Sequence, residues 1–465
     1  MPTPTYHQPL AWLALLTLTS ACLEGPLLGR EGIGELTADV SATVGTVMEL
    51  SWTTDGEGYS WVEYGPTMER ELRTPVTQEA SSAHHFFLFG LPSNHEVHFR
   101  VVTVVDGVEY AHEGEATTGG LPPALPDFRA MEHDPTLRSD APFLMTSLPG
   151  IENHLAVLDR QGEVLWYFDR GTGWEDHMVW NVAFVPNSNK ILCGAFSRDP
   201  DAWPSEAVTI DLLGNTTSVT EIDAAHHALA RLPDGTLATI QPDTRSWYDP
   251  DLGEEVDVIG DAVVEYAPDG SQRTVFSTWD WREPEVHERF YKPASGEGDW
   301  SHANALKYDE VSGTYLFSLG NLDTVLQLSA STGEVVRELG KKGYAVTEGT
   351  PFTFQHDPSW TPEGTLLMSA SLADGRAFVA EYEVDDLHKE LHELWSYGQE
   401  ATFLAVAGGG ATRLDNGNTL FNVGYQGVVV ELSPAGQPIW EVATSMGAVF
   451  SSPFFFDDFY EPPTP

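Results

Sequence analysis

Basic side chains are scarce: 23 lysines and arginines face 70 aspartates and glutamates in 465 residues, a formal charge of −47. A chain this acidic repels polynucleotides and anionic lipid surfaces, which excludes nucleic acid as a partner. Cysteine is scarcer still, with only Cys22 and Cys193, too few for a disulfide framework. Cys193 sits in the apolar run "KILCGAF" and reads as inert core rather than nucleophile. Long helical periodicity is missing. No segment is long and apolar enough to span a membrane as a mature helix. The acidic residues form no loop of calcium-binding spacing, so they read as a solvated surface. What is plentiful is glycine (42) and proline (31), scattered between short alternating runs. That pattern predicts an all-β chain of many short strands and tight turns.

The N-terminus reads "LAWLALLTLTSAC", a short apolar stretch ending in small residues before a cysteine. It resembles a bacterial lipoprotein signal over residues 1–21, with Thr19-Ser20-Ala21-Cys22 as the lipobox, although no lysine or arginine precedes it. The resemblance implies lipidation of Cys22, a tether over 22–32, and anchoring to a bacterial membrane at the cell envelope. From Ile33 to Thr118 the strand alternation and the Trp52, Tyr64, Leu91 and Phe99 pattern resemble a fibronectin type III or immunoglobulin-like sandwich. "GGLPPALPD" then predicts a stiff linker over 119–126.

Residues 127–460 carry repeats. "MEHDPTLRSDAPFLMTSL", "DHMVWNVAFVPNSNKILCGAF", "AHHALARLPDGTLATIQ", "SHANALKYDEVSGTYLFSLG", "FQHDPSWTPEGTLLMSAS" and "AGGGATRLDNGNTLFNVG" each read strand, turn, strand. Most are followed by a second hairpin; in the fifth that is the more polar "VDDLHKELHELW". Two hairpins per repeat make a four-stranded blade, and six repeats predict a six-bladed β-propeller. The leading positions are His133, His177, His226 or His227, His302, His356 and Gly410. In a propeller the first strand of each blade lines the channel, so these residues are expected at one mouth. The long connections "FSRDPDAWPSEA", "QPDTRSWYDPDLGEEVDVIGD", "WDWREPEVHERFYKPASGEGDW" and "KKGYAVTEGTPFTF" fall on the same face, where scaffolds carry function.

Clustered histidines bind metal, move protons or attack as nucleophiles. Asp134 and Asp357 follow two of them, but strand alternation is expected to turn those carboxylates away from the channel. "DWSHANALKYD", "FQHDPSW" and "GGGATRLDNGNTLF" resemble, in order and phase, the bacterial arylsulfate sulfotransferases that use no nucleotide donor. The resemblance covers about Leu125 to Phe459. It implies transfer of a sulfuryl group from an aryl sulfate to a phenol through a sulfated histidine. His356 matches that histidine, His302 and Asn304 match donors to the sulfate oxygens, and His226-His227 match a further histidine position. No cofactor is implied, and no metal site is assigned. One departure stands out. The family places an arginine after the second strand of the His302 blade, where this chain has Gly320 in "LFSLGNLDTV". Arg376 is the expected substitute, with Arg245 and Arg198 in comparable loops and His177 beside them as a further binding residue. Two other readings stay open: a ligand-binding propeller without catalysis, and a metal-dependent lyase or hydrolase. The rim insert before His302, rich in tryptophan, is expected to wall the pocket and stack on an aromatic ligand.

Overall fold

The computed structural model describes residues 32–150, 153–170, 176–199, 204–250, 252–285, 298–400, 403, 408–444 and 449–461. The leader, the Cys22 motif, the tether up to residue 31 and the middle of the rim insert (286–297) lie outside them.

The chain forms two compact units. The first contains Met48–Leu88 and Glu96–Thr117. Its spine is the 18-residue strand Met48–Gly65, which pairs with Ser81–Leu88 over its first part and with Glu96–Val105 over its second. Alternate residues point inward, so Leu50, Trp52, Val62, Tyr64, Phe99 and Val101 are buried. His84 is buried with them: its ring stacks on Trp52 and hydrogen-bonds Thr54 and Ser60. This accounts for it as a core residue.

The second unit, from Thr118 onward with Val40–Val47 and Phe89–His95, contains six sheets among the described residues, each of four or five strands. The second sheet runs His177–Phe184, Lys190–Ser197, Ser205–Asp211, Thr216–Ile222, and the third opens with His226–Arg231. The fourth opens with Ala303–Asp309, the fifth with Thr353–Trp360 and the sixth with Gly410–Arg413. The inner strand of the first sheet is Ser451–Phe456, from the far end of the chain, paired with Phe143–Leu148. The inner strands touch in a closed cycle, first through sixth and back to first, which is the arrangement of a β-propeller. Each sheet is covered on both faces. Tyr315, Phe317 and Leu326 pack toward the third sheet, whereas Leu316 and Val325 pack with Met368 and Phe378 of the fifth. That is why strands such as "TYLFSL" are apolar throughout rather than alternating.

Two expectations change here. The segment carrying His133 does not open a sheet. Phe128–Glu132 lies on the outer edge of the sixth sheet, paired with Pro438–Thr444, because the C-terminal strand has taken the inner position. The segment "QPDTRSWYDPDLGEEVDVIGD" is not an open loop: Leu237–Asp249 and Glu254–Tyr266 pair along their whole length as one long ribbon. Its β-branched and aromatic alternation continues the strands past the sheet.

Candidate active site

Regular strands would send consecutive side chains to opposite faces, and the inner strands here are not regular. Register shifts fall between Trp180 and Ala183, His226 and Leu229, Ala303 and Ala305, His356 and Ser359, and Ser451 and Phe454. Asn181, His227, Asp357 and Ser452, all non-glycine, sit there in the left-handed region with φ of 53°, 58°, 51° and 47°. His302 joins them at 45°. Each such residue costs on the order of 1–3 kcal/mol, and repeated strain of this kind clusters at functional sites. A bulge lets two neighbours in sequence face the same side. His226 and His227 therefore both line the central cavity, as do His356 and Asp357. The expectation that Asp357 turns away fails for this reason.

The cavity encloses about 560 Å³. His226, His227, Asn304 and His356 form its polar wall, with Trp180, Phe196, Leu229, Leu306 and Phe454 among the apolar lining. Its charged lining besides histidine is Arg198, Arg231, Lys307 and Asp357, so the hollow is more basic than the acidic chain around it. Lys307 Nζ lies 2.9 Å from Asp357 Oδ2.

Hydrogen bonds specify the state of each ring. His356 Nδ1 faces the Phe354 carbonyl at 3.3 Å, and its Nε2 lies 3.3 Å from Asn304 Nδ2. A carbonyl only accepts, so Nδ1 carries the proton and Nε2 the lone pair. Burial, then the nearby His302, pulls the His356 pKa down to about 4, so the ring is neutral at pH 7. Gln355 anchors this strand: its side-chain amide donates to Ser318 Oγ, Leu319 O and Thr324 O in the neighbouring sheet. Asn304 Nδ2 also donates to the Gln355 carbonyl at 2.9 Å, while its Oδ1 is buried without a hydrogen-bond partner among the described residues.

His302 is the opposite case. It does not itself line the cavity but stands behind His227: its Nδ1 lies 2.5 Å from Asp299 Oδ2, and its ring stacks on Phe354 and stands edge-on to His227. Burial opposes the charge, but the hydrogen bond and charge of Asp299, with Asp261 behind it, raise its pKa above the ordinary imidazole value. His227 is held well below that value by burial and by His226, His302 and His356.

Asp261 and Asp299 are the residues sequence reasoning missed. Asp299 could have been found as the acid three positions before His302 in "DWSH". Asp261, 2 % exposed, stands far from the histidines in sequence and carries no local signal.

The other expected residues are placed elsewhere. His177 is buried, but its Nε2 donates to the Pro204 carbonyl at 3.0 Å and it does not line the cavity. His133 lies past the outer edge strand, 3.8 Å from Glu441. Arg376 is held in its own turn by Asp374 at 2.9 Å and by the Gln399 carbonyl. Arg245 is on the ribbon, paired with Asp243 at 2.8 Å and lying over Trp279. Neither lines the cavity; the aspartate two residues before each arginine captures it. Gly410 is in place: a Cβ there would lie 2.8 Å from Asp357 Oδ2. The described tryptophans of the rim insert pack inward instead of walling the pocket. Trp279 packs at a tilt against fully buried Trp300, and Trp281 Nε1 donates to Glu338. Cys193 is fully buried, and its thiol is pushed up to about 12 by desolvation.

Among the described residues, one group places three ligand atoms close enough for a metal ion: Glu96, His98 and Glu115 of the first unit, on an open surface. The channel histidines do not form such a group.

The family model for Arylsulfotransferase (ASST) matches residues 143–447. No curated protein matches the chain. Among solved structures, a protein of unknown function from Bacteroides caccae is 12% identical with a TM-score of 0.41, covering 67% of this chain and 98% of its own. Virginiamycin B lyase from Staphylococcus aureus is 10% identical, with a TM-score of 0.30 and coverages of 68% and 99%. A streptogramin B lyase is 11% identical, with a TM-score of 0.32 and coverages of 68% and 98%. Likenesses this distant do not bear on the chemistry.

Proposed function

The chain belongs to the arylsulfotransferase family, and from that premise we propose that it moves a sulfuryl group from an aryl sulfate to a phenolic acceptor through a sulfohistidine at His356. The observation that carries this reading is the tautomer of His356. With Nδ1–H held by the Phe354 carbonyl, Nε2 presents its lone pair beside Asn304. Nε2 attacks sulfur, the N–S bond forms, and the bond from sulfur to the aryl oxygen breaks. The departing phenolate takes the proton of His302, which Asp299 keeps charged and oriented. The positive charge arising on the sulfated ring faces the Phe354 carbonyl. Sulfuryl oxygens carry the transferring charge, so the Asn304 amide is placed to stabilise them. In the second half the acceptor oxygen attacks sulfur, the N–S bond breaks, and the acceptor proton passes to a histidine base.

Gly320, at the position of the family arginine, is the departure that favours the binding reading, and it lies against this centre. A Cβ on Gly320 would lie 2.8 Å from Asn304 Nδ2 and 3.3 Å from the His302 carbonyl. Lys307 is the cation that lines the cavity beside Asp357, and we assign it, rather than Arg376, the sulfate-binding role. We further propose that the protein works at the cell envelope, tethered through Cys22.

Intact-mass analysis tests the reading. Aryl sulfate without acceptor adds one sulfuryl group, His356→Ala abolishes the adduct, and phenol removes it. A wild-type protein that acquires no adduct from any aryl sulfate tried would overturn transfer and leave a ligand-binding propeller.

A further inference from the structure

Asp261 lies on the third sheet, at the base of the long ribbon, and joins two parts of the site. Its Oδ2 accepts from Ser301 Oγ at 2.6 Å and from the Ala303 backbone at 2.7 Å, both flanking His302. Its Oδ1 lies 3.1 Å from His226 Nε2. His226 Nδ1 lies 2.8 Å from His227 Nδ1. The chain Asp261, His226, His227 thus ends at the cavity.

Proton positions along this chain follow by elimination. An ionised carboxylate only accepts, so His226 Nε2 carries a proton toward Asp261. In a neutral His226 ring the other nitrogen then holds a lone pair, so the proton between the two rings belongs to His227 Nδ1. A neutral His227 is left with its lone pair on Nε2. That nitrogen has no hydrogen-bond partner among the described residues, and the ring lines the cavity edge-on to His302.

We propose that Asp261 and His226 are positioning residues that hold His227 in this tautomer, making His227 Nε2 the base that takes the proton of the acceptor phenol. The inference rests on the transfer reading above. As the acceptor oxygen attacks the sulfur on His356, the O–H bond of the phenol breaks and its proton goes to His227 Nε2. The N–S bond breaks and its electron pair returns to His356 Nε2. His227, now doubly protonated, is balanced through His226 by Asp261 until it passes the proton to the adjacent His302, which gave one up during loading, so that both rings return to their starting states. Proton removal and proton donation are thus divided between two imidazoles in contact. The carboxylate next to His302 raises its affinity for a proton, and the dry surroundings of His227 lower it.

Asp261→Asn tests the assignment, because an asparagine can turn its N–H toward His226 Nε2. That reverses every proton in the chain and puts hydrogen on His227 Nε2. Discharge of the sulfated enzyme to an ordinary phenol is expected to fall by about 10²–10⁴-fold, the usual range for a lost general base. Loading from the aryl sulfate should fall much less than discharge, since that step uses no base and Asp299 still holds the His302 proton that Asp261 only reinforces. A dinitrophenol, already ionised at neutral pH, should recover most of the lost discharge. Ser301→Ala, which removes a hydrogen bond to Asp261 without touching the tautomer, should discharge to both phenols at near wild-type rates. Equal losses with both phenols, or loss of loading, would make Asp261 merely structural and overturn the proposal. Long-range 1H–15N spectra of histidine-labelled wild-type protein decide the tautomer without any turnover. Hydrogen on His227 Nδ1 is expected, and hydrogen on Nε2 refutes the relay. A wild type with this tautomer that forms no adduct would sink the transfer reading instead.

Discussion

Gly320 is where a single methyl group should report on the site. It is buried between the His302 segment and Asn304, and its own N–H donates to the His302 carbonyl at 3.0 Å. Nothing in its backbone requires glycine, since it is not among the positive-φ residues; the constraint is space. In Gly320→Ala the new Cβ would stand 2.8 Å from Asn304 Nδ2 and 3.2 Å from Phe354 Cε2, against an ordinary contact of 3.4 Å or more. Phe354 is pinned by its N–H to Asp323 and by stacking on His302, so the amide is what moves. A retreat of about 0.6 Å would break the bond to His356 Nε2, already 3.3 Å long. Crowding and a buried amide left short of a partner each cost about 1–3 kcal/mol. The expected destabilisation is roughly 2–6 kcal/mol. Loading of His356 should slow by about 10²-fold, the scale of one misplaced donor. Urea denaturation reads the first number and the time course of the mass adduct the second. Asn304→Ala removes the clashing group, so adding Gly320→Ala to it should cost less than about 1 kcal/mol further. Strict additivity of the two changes, or a Gly320→Ala protein with normal stability and loading, would refute the reasoning.

The folded state holds His356 at a pKa of about 4, below the unfolded value of about 6.5. The unfolded chain therefore binds the extra proton first, and stability falls as pH drops from about 6.5 to 4, by roughly 3 kcal/mol from this ring. Denaturation across that window should give a shallower slope for His356→Asn, and parallel curves would contradict the burial argument. His302, raised by Asp299 against the opposing effect of burial, works the other way: its contribution is full below about 6.5 and is lost as pH rises from there through its folded value. Lys307→Met should raise the KM for aryl sulfate by about 10-fold while changing stability by less than about 1 kcal/mol, because the pair is partly exposed; an unchanged KM would remove Lys307 from the site. Cys193 should resist thiol reagents in the native protein and react only on unfolding, and rapid native labelling would contradict its place in the core.

Much of the architecture was legible in the chain because it depends on short-range physics. Period-two alternation, apolar runs and glycine turns such as Pro233-Asp234-Gly235 specify hairpins, and glycine is required where φ is +90° at Gly235 and +85° at Gly417. The recurrence of those hairpins announced the sheets, and His302, Asn304 and His356 stood at recognisable places in them. Phase at the closure was not legible. Which end of the chain supplies the inner strand of the first sheet is settled by packing between residues about 300 apart, such as Ser147 against Ser451, and His133 fell on the wrong side of that choice. The side each residue faces was not legible either. Alternation assumes a regular strand, and the bulges at His227 and Asp357 break it at the site itself.

By itself, then, the sequence determined an acidic all-β chain with almost no thiols, its repeats, its family, and which histidines could do chemistry. These follow from composition and from neighbours a few residues apart. The tertiary structure alone decided the protonation of each ring, because that depends on partners brought from distant strands. The Phe354 carbonyl holds the Nδ1 proton of His356 and leaves Nε2 with its lone pair. Asp299 raises the proton affinity of His302, and Asp261, from 35 positions away in sequence, reaches His226 and through it His227.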